Sequence, residues 1–236
     1  MPSPQPLILL PPSEGKAPGG EGPAWRAGSM ADAGLDRHRR VVLPAAAADG
    51  VVRRRAPTMS ASDRYTGVLY RELDWRSLSP TARRRGAGRV RIASGLWGLV
   101  APDDPIPHYK LKMSARLEAT GRLSAWWKPR LAPVLAERVR GAVVWDLLPI
   151  EHAAAMDWSA CEPAQRVTVR FVDRSGTTVS HWNKLLKGAL VRWLLAERTP
   201  TPERLASFRH PLGYRLDATS SSREGTLRTL VFREDP

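Results

Sequence analysis

This sequence predicts an α/β fold, a single mixed α/β domain with a central sheet flanked by helices, and three observations lead there. Apolar runs of strand length alternate with stretches of helical periodicity, no segment repeats, and an apolar content of 42% over 236 residues suffices for a core of domain size. One domain over residues 1–236 is expected, with a basic, flexible or marginally ordered segment at 17–57.

The first strand is Leu7-Ile8-Leu9-Leu10, stopped by Pro11 and Pro12 and followed by the polar loop Ser13-Glu14-Gly15-Lys16. A loop at the carboxyl end of an inner strand is where open α/β sheets bind ligands, although a plain turn accounts for the same letters. The Gly-Lys pair lacks the upstream glycine and the following Ser or Thr of a phosphate loop. Ser13-x-x-Lys16 lacks the companion motifs of penicillin-binding enzymes. Residues 17–57 are rich in Gly, Ala, Pro and Arg and show poor periodicity, with room for one short helix. There Arg37, Arg39 and Arg40, then Arg53, Arg54 and Arg55, bracket an alanine run.

Asp63-Arg64-Tyr65-Thr66-Gly67-Val68-Leu69-Tyr70 offers two readings: an aromatic, charged surface for a planar ligand, or two tyrosines packed on a core helix with Asp63 as its N-cap. Arg83, Arg84 and Arg85 end a short helix before Gly86 and Gly88. Residues 89–93 alternate as a strand, and Ser94-Gly95-Leu96-Trp97-Gly98-Leu99 permits close backbone approach. Asp103 and Asp104 sit in a proline loop; they could act as acid and base, but such pairs more often serve turns and caps.

Residues 122–140 are a helical region broken by Pro129 and Pro133, 142–148 a buried strand, 151–156 the start of a helix, and 166–172 a strand that turns at Ser175 and Gly176. Ser180-His181-Trp182-Asn183-Lys184-Leu185-Leu186-Lys187-Gly188 then opens an amphipathic helix to about Arg198. Leu186, Leu190, Trp193 and Leu194 share one face, and Lys184, Lys187, Gly188 and Arg192 another. Cations at a helix start oppose the macrodipole unless an anion binds there; a solvated basic face is the plainer reading. Residues 214–232 form a terminal hairpin turning at Gly225.

The balance of 37 Lys and Arg against 23 Asp and Glu gives a net charge of +14 and a pI near 11.0. Such a surplus attracts nucleic acid, anionic membrane or phosphorylated metabolites without choosing among them, and a GC-rich genome also produces high arginine. Cys161 is the only cysteine, so no intrachain disulfide forms and no second thiol resolves a sulfenic acid. The apolar run at 7–10 fits neither a signal peptide nor a membrane span, so a cytoplasmic location without a membrane partner is expected. His38, His108, His152, His181 and His210 show no metal-ligand spacing; no metal and no cofactor is expected, and a direct, high-affinity iron site is argued against.

Several blocks together resemble the YaaA family of peroxide-stress proteins. They are Leu-Pro-Pro-Ser-Glu-Gly-Lys at 10–16, Arg-Tyr-Thr-Gly-Val-Leu-Tyr at 64–70, Ser-Gly-Leu-Trp-Gly-Leu-Val at 94–100, Pro-Asp-Asp-Pro-Ile-Pro-His-Tyr-Lys-Leu-Lys-Met at 102–113, Asn-Lys-Leu-Leu-Lys-Gly at 183–188 and the Ser-rich tail. The resemblance implies a cytoplasmic bacterial protein with one compact α/β fold, linked to survival under hydrogen peroxide and to limiting free iron. It also implies binding of duplex and branched DNA through a helix-hairpin-helix element. By matching motifs, Ser13, Lys16, Arg64, Tyr65, Ser94, Asn183, Lys184 and Lys187 are the signature positions, which we expect to gather round one cleft. Two departures stand out: the family's longer helical stretch after the first motif is compressed here into residues 25–55, and residues 146–152 differ from its usual polar loop.

Two functions are therefore expected to compete, a DNA-binding stress protein, which the sequence favours, and an enzyme as the alternative. In the first, basic surfaces, Lys184 and Lys187 among them, neutralise DNA phosphates while Tyr65 or Trp182 stacks on exposed bases. In the second, an enzyme acts on a nucleotide or other phosphorylated small molecule, with Lys16, Lys184 and Lys187 holding phosphate and Ser13, Glu14 or Asp103 transferring protons. A long basic groove would favour DNA, and an enclosed polar pocket with perturbed titratable groups would favour chemistry.

Overall fold

The computed structural model describes residues 4–179, 182–210 and 212–234. Ser180 and His181, which open the basic stretch before the last helix, lie outside the described residues.

Eleven strands are described: β1 Leu7–Leu10, β2 Thr58–Ser60, β3 Val90–Ser94, β4 Gly98–Val100, β5 Pro105–Pro107, β6 Arg116–Leu117, β7 Gly121–Arg122, β8 Val143–Asp146, β9 Gln165–Val172, β10 Tyr214–Glu224 and β11 Leu227–Glu234. Seven form the main sheet in the order β10-β11-β9-β8-β1-β3-β4; β2 pairs with β5 and β6 with β7. The helices are α1 Asp36–Ala48, α2 Ala61–Arg64, α3 Val68–Leu73, α4 Pro80–Arg89, α5 Leu123–Val139, α6 Ile150–Ala153 and α7 Asn183–Ala196. The architecture is a single α/β domain. No helix among the described residues is long and apolar enough to cross a membrane.

β1 lies between β3 and β8 and runs parallel to both, which is why its sequence is apolar at every position and all four residues are buried. The chain leaves β1 toward β3 on one side, whereas from β8 it continues to β9 on the other. The carboxyl ends of β1 and β8 are thus a topological switch point, where the outgoing connections part and leave a crevice. At the far edge, β10 is mostly exposed and polar. Its register with β11 shifts between Asp217 and Ser222, where Asp217 accepts bonds from the backbone and hydroxyls of Thr219 and Ser220. A polar, bulged edge of this kind resists pairing with another chain.

Four expectations change. Residues 17–57 hold the 13-residue helix α1 despite Pro44, and Arg39 within it is fully buried. α4 runs through Gly86 and Gly88 instead of ending before them. Gly86 packs so tightly that a Cβ there would lie 2.4 Å from the Trp75 ring. α5 is continuous across Pro129 and Pro133 because both prolines stand exposed, where water can take the freed carbonyls; its stripe of Leu123, Trp127, Leu131, Leu135 and Val139 is buried. Asp63 is not the N-cap of α2; Ser60 is, its hydroxyl accepting the Asp63 N–H at 3.3 Å and donating to the Asp63 carboxylate at 2.8 Å.

Charge is carried inside the domain by a network under α1. Asp32 accepts from Arg91 at 2.8 Å and from Arg138 Nε at 3.0 Å, while Arg39 donates to Asp36 at 2.7 Å and to the carbonyls of Asp32, Trp97 and Leu99. Asp104 closes the same region by accepting the N–H groups of Ala31 and Ala101. The aspartate expected as a possible acid or base partner to Asp103 is thereby a turn and tether, as such pairs usually are.

Candidate functional site

The loop after β1 is held against the start of α3. Lys16 forms an isolated antiparallel bridge with Tyr65, the Ala17 N–H bonds the Arg64 carbonyl at 2.8 Å, and the Thr66 N–H bonds the Gly15 carbonyl at 3.1 Å. Ser13 Oγ accepts the Gly67 N–H at 2.7 Å, and Tyr70 donates its hydroxyl to the Pro11 carbonyl at 2.7 Å. Gly67 is required by this contact, since a Cβ there would stand 2.3 Å from Ser13 Oγ.

This loop and the loop after β8 line two adjoining cavities at the switch point. The smaller, about 300 Å³, is walled by Pro12, Ser13, Glu14, Lys16, Lys110, Lys112, Glu151 and His152. The larger, about 420 Å³, shares Pro12, Ser13, Glu14, Glu151 and His152 with it and adds Gly67, Pro149 and Lys184. Ser13, Glu14, Lys16 and Lys184, distant in sequence, therefore belong to one crevice.

The electrostatics are uneven. Lys16 is brought down to about 8, because burial disfavours its charge and Arg64 adds to that, with Glu14 opposing. Its Nζ donates to the Ser13 carbonyl at 2.7 Å and stands 4.4 Å over the Tyr109 ring. His152 is buried; burial lowers its pKa and holds the imidazole neutral at pH 7, with Glu151 opposing, and Nδ1 has no partner among the described residues. The carboxylates are engaged: Glu14 lies 3.3 Å from Lys112 Nζ, and Glu151 accepts the Ser114 N–H and hydroxyl at 3.0 and 2.8 Å.

The other expected site residues sit elsewhere. Arg64 is fully buried with its guanidinium on the carbonyls of Ala17, Gly19 and Ile106, a loop clamp with no face for phosphate. Tyr65 is buried, its hydroxyl 2.7 Å from that of Tyr109, which is 2.8 Å from Ser94 Oγ; this chain of hydroxyls backs the crevice and leaves no ring face for a base to stack on. Lys187 donates to the Leu147 carbonyl at 3.0 Å and so supports the loop after β8 from beneath; burial lowers its pKa, opposed by Asp146. Asn183 is half-buried with Oδ1 unpartnered among the described residues, and Trp182 is exposed. Asp103 is exposed and lies outside both cavities.

The basic face expected on α7 is likewise divided. Gly188 meets the backbone of Leu69, where a Cβ would stand 2.4 Å from the carbonyl oxygen, and Arg192 donates to the carbonyls of Leu73 and Asp74, capping α3. Only Lys184 of that group reaches the crevice. Sequence reasoning missed His152, Glu151, Tyr109, Lys110 and Lys112. One signal was available: with only six lysines in an arginine-rich chain, the motifs around 16, 110, 112, 184 and 187 hold five of them.

Among the described residues no three His, Cys, Asp or Glu gather as a metal-binding group. Cys161 is half-buried, its Sγ on the Asp157 carbonyl, and burial pushes its thiol up, away from the reactive thiolate.

Comparison with known proteins agrees with the resemblance. A family model described as peroxide stress protein YaaA matches residues 35–220. A UPF0246 protein of Streptomyces coelicolor is 36% identical over 93% of this chain and 95% of its own length. A UPF0246 protein of Corynebacterium efficiens is 33% identical over 80% of this chain and 84% of its own, and one from Dinoroseobacter shibae is 36% identical over 68% and 61%. With the family model covering most of the chain and a 36% identical relative spanning 93% of it, this chain belongs to the YaaA (UPF0246) family of peroxide stress proteins.

Proposed function

We propose that the switch-point crevice binds a phosphorylated small molecule, a nucleotide or a sugar-sized phosphate ester, and that the protein acts on it as an enzyme. One observation carries this reading: the loops after β1 and β8 line adjoining cavities whose walls hold a lysine of lowered pKa and a buried, neutral histidine. Lys184, at the start of α7 in the larger cavity, and Lys110 and Lys112 in the smaller supply the positive charge that an anion needs. Ser13 and Glu14 stand between them as groups for hydrogen bonding and proton transfer.

A panel of nucleotides and phosphate esters in a thermal-shift assay tests it. At least one should raise the melting temperature by several degrees in the wild type and by much less in K184E. A flat response across the panel would remove the reading.

DNA binding is the second reading, favoured by the net charge of +14 and by exposed arginines at 37, 40, 53–55, 83 and 84. It predicts an affinity for duplex or branched DNA that falls steeply with salt. Replacing the exposed Arg53, Arg54 and Arg55 by glutamate would weaken that affinity and leave the thermal shift by small phosphate esters unchanged, which separates the two readings.

A further inference from the structure

The cations of this chain are unevenly divided. Of 37 basic residues only six are lysine, at positions 16, 110, 112, 128, 184 and 187. Four of the six line the crevice, Lys16, Lys110 and Lys112 in the smaller cavity and Lys184 in the larger, and a fifth, Lys187, holds the Leu147 carbonyl beneath it. A demand for positive charge alone would be met by arginine here, as it is over the rest of the molecule. What an amine does and a guanidinium cannot is lose its proton near neutral pH and attack carbon.

The five lysines are not equivalent. Lys187 is tied to Leu147, and Lys112 is paired with Glu14. Lys184 is exposed at the rim of the larger cavity and Lys110 is exposed on the wall of the smaller one. Lys16 alone combines cavity lining with burial and is held by a carbonyl oxygen instead of a carboxylate. A carbonyl accepts from either form of the amine, more strongly from the ammonium, but it carries no full charge, so it fixes the nitrogen in place and favours the charged form less than a carboxylate would. Glu14 and Glu151, the two carboxylates on the same wall, are drawn to Lys112 and Ser114. Behind the amine lie the rings of Tyr109 and Tyr65, and His152 lines the cavity with Nδ1 unpartnered.

We propose that Lys16 is a nucleophilic amine that forms a Schiff base with a phosphorylated aldehyde or ketone bound in this crevice. The neutral Nζ adds to the carbonyl carbon, and the C=O π pair moves to oxygen. A proton passes from nitrogen to that oxygen by way of solvent in the open crevice, giving a carbinolamine. The nitrogen lone pair then expels the oxygen, which leaves as water with the second proton of the amine. One C–N double bond replaces one C–O double bond, two N–H bonds become those of water, and no oxidant or other reactant is needed. Lys184 and Lys110 hold the phosphate, so the inference rests on the anion-binding reading of the same site.

Reductive trapping tests it. The full chain is incubated with glyceraldehyde 3-phosphate and sodium cyanoborohydride, and adducts are placed by intact mass and peptide mapping. One adduct per chain is expected, on Lys16, at least tenfold above every other lysine at pH 7.5. Its rate should rise to a plateau with a midpoint near pH 8, the value set by burial of Lys16 against Glu14 and Arg64. K16R, checked for folding by its melting temperature, should lose the adduct. Adducts spread over the exposed lysines, or an unmodified Lys16, overturn the proposal. The unreduced wild type supplies the second arm: a thermal shift by the phosphate ester without a Lys16 adduct leaves the anion site standing and refutes the Schiff base. Absence of both shift and adduct refutes both.

Discussion

Two of the places where the molecule buries charge treat it in opposite ways. Under α1, Asp32, Asp36, Arg39, Arg91 and Asp104 are all buried, and each polar end is paired: aspartate to arginine, arginine to backbone carbonyl, aspartate to backbone N–H. In the crevice, Lys16 has a carbonyl and two aromatic faces, His152 has a bare ring nitrogen, and the nearby carboxylates are held by Lys112 and Ser114. Desolvation acts in both regions. Only in the network do partners offset it, so only there does charge serve the fold. A group whose ionisation is left disfavoured costs stability and gains a reactive state near neutral pH.

Breaking the network should give the largest effect. Asp32→Ala leaves Arg91, 3% exposed, and Arg138 without their carboxylate. Removing one partner of a buried pair strands the others, so a loss of about 3–5 kcal/mol is expected in urea unfolding, enough to unfold a marginal domain. A loss under 1 kcal/mol would mean the network is not what ties the 28–39 segment to β3 and β4. Gly67→Ala comes next, at about 1–3 kcal/mol from overpacking against Ser13 Oγ. The backbone at Gly67 is extended with φ −65°, so the effect is steric alone. Ser13→Gly in the same chain should return most of it, and additive losses in that double-mutant cycle would contradict the contact.

The same contrast marks how far the sequence could be read. β1 was legible because a strand with neighbours on both sides and cover on both faces has no place for a polar residue. The hairpin β10–β11 was legible because Gly225, with φ 57°, turns between two runs of strand length. The arginines were not. Arg39, Arg64 and Arg91 look like surface charge in a basic chain, and what buries them are acceptors that the fold supplies, such as the Trp97 carbonyl 58 residues from Arg39. The prolines of α5 misled for a related reason: whether a helix tolerates them depends on which face meets water. Of the site, the loop with Ser13, Glu14 and Lys16 announced itself by following an inner strand. His152 could not, since its place beside that loop exists only because β8 lies next to β1.

His152→Leu sharpens the comparison from the crevice side. It removes a buried nitrogen that has no partner, so stability should hold or rise by about 0.5–2 kcal/mol, while the thermal shift by a bound phosphate ester falls. The direction opposes that of Asp32→Ala. A loss above 2 kcal/mol would place His152 with the structural charges.

The most gradual effect lies in the pH dependence of Lys16. Unfolded, the amine keeps its proton up to about 10.5; folded, it releases it near 8. Between these values the unfolded chain binds more protons, so stability rises with pH across that window, by at most about 1.4 kcal/mol per pH unit. Below pH 8 both states are protonated, and the cost of burying the ammonium is present in full. Cys161 and the buried phenols act in the opposite sense: their raised folded values, about 12 for Tyr109, make stability fall once the unfolded groups ionise. Wild type minus Lys16→Met removes that shared background and leaves the lysine. Urea midpoints at pH 7.5, 8.5 and 9.5 should show the wild type gaining on the variant at each step. Parallel curves would mean that Lys16 keeps an ordinary pKa, and the crevice would then differ from the network in geometry without differing in charge.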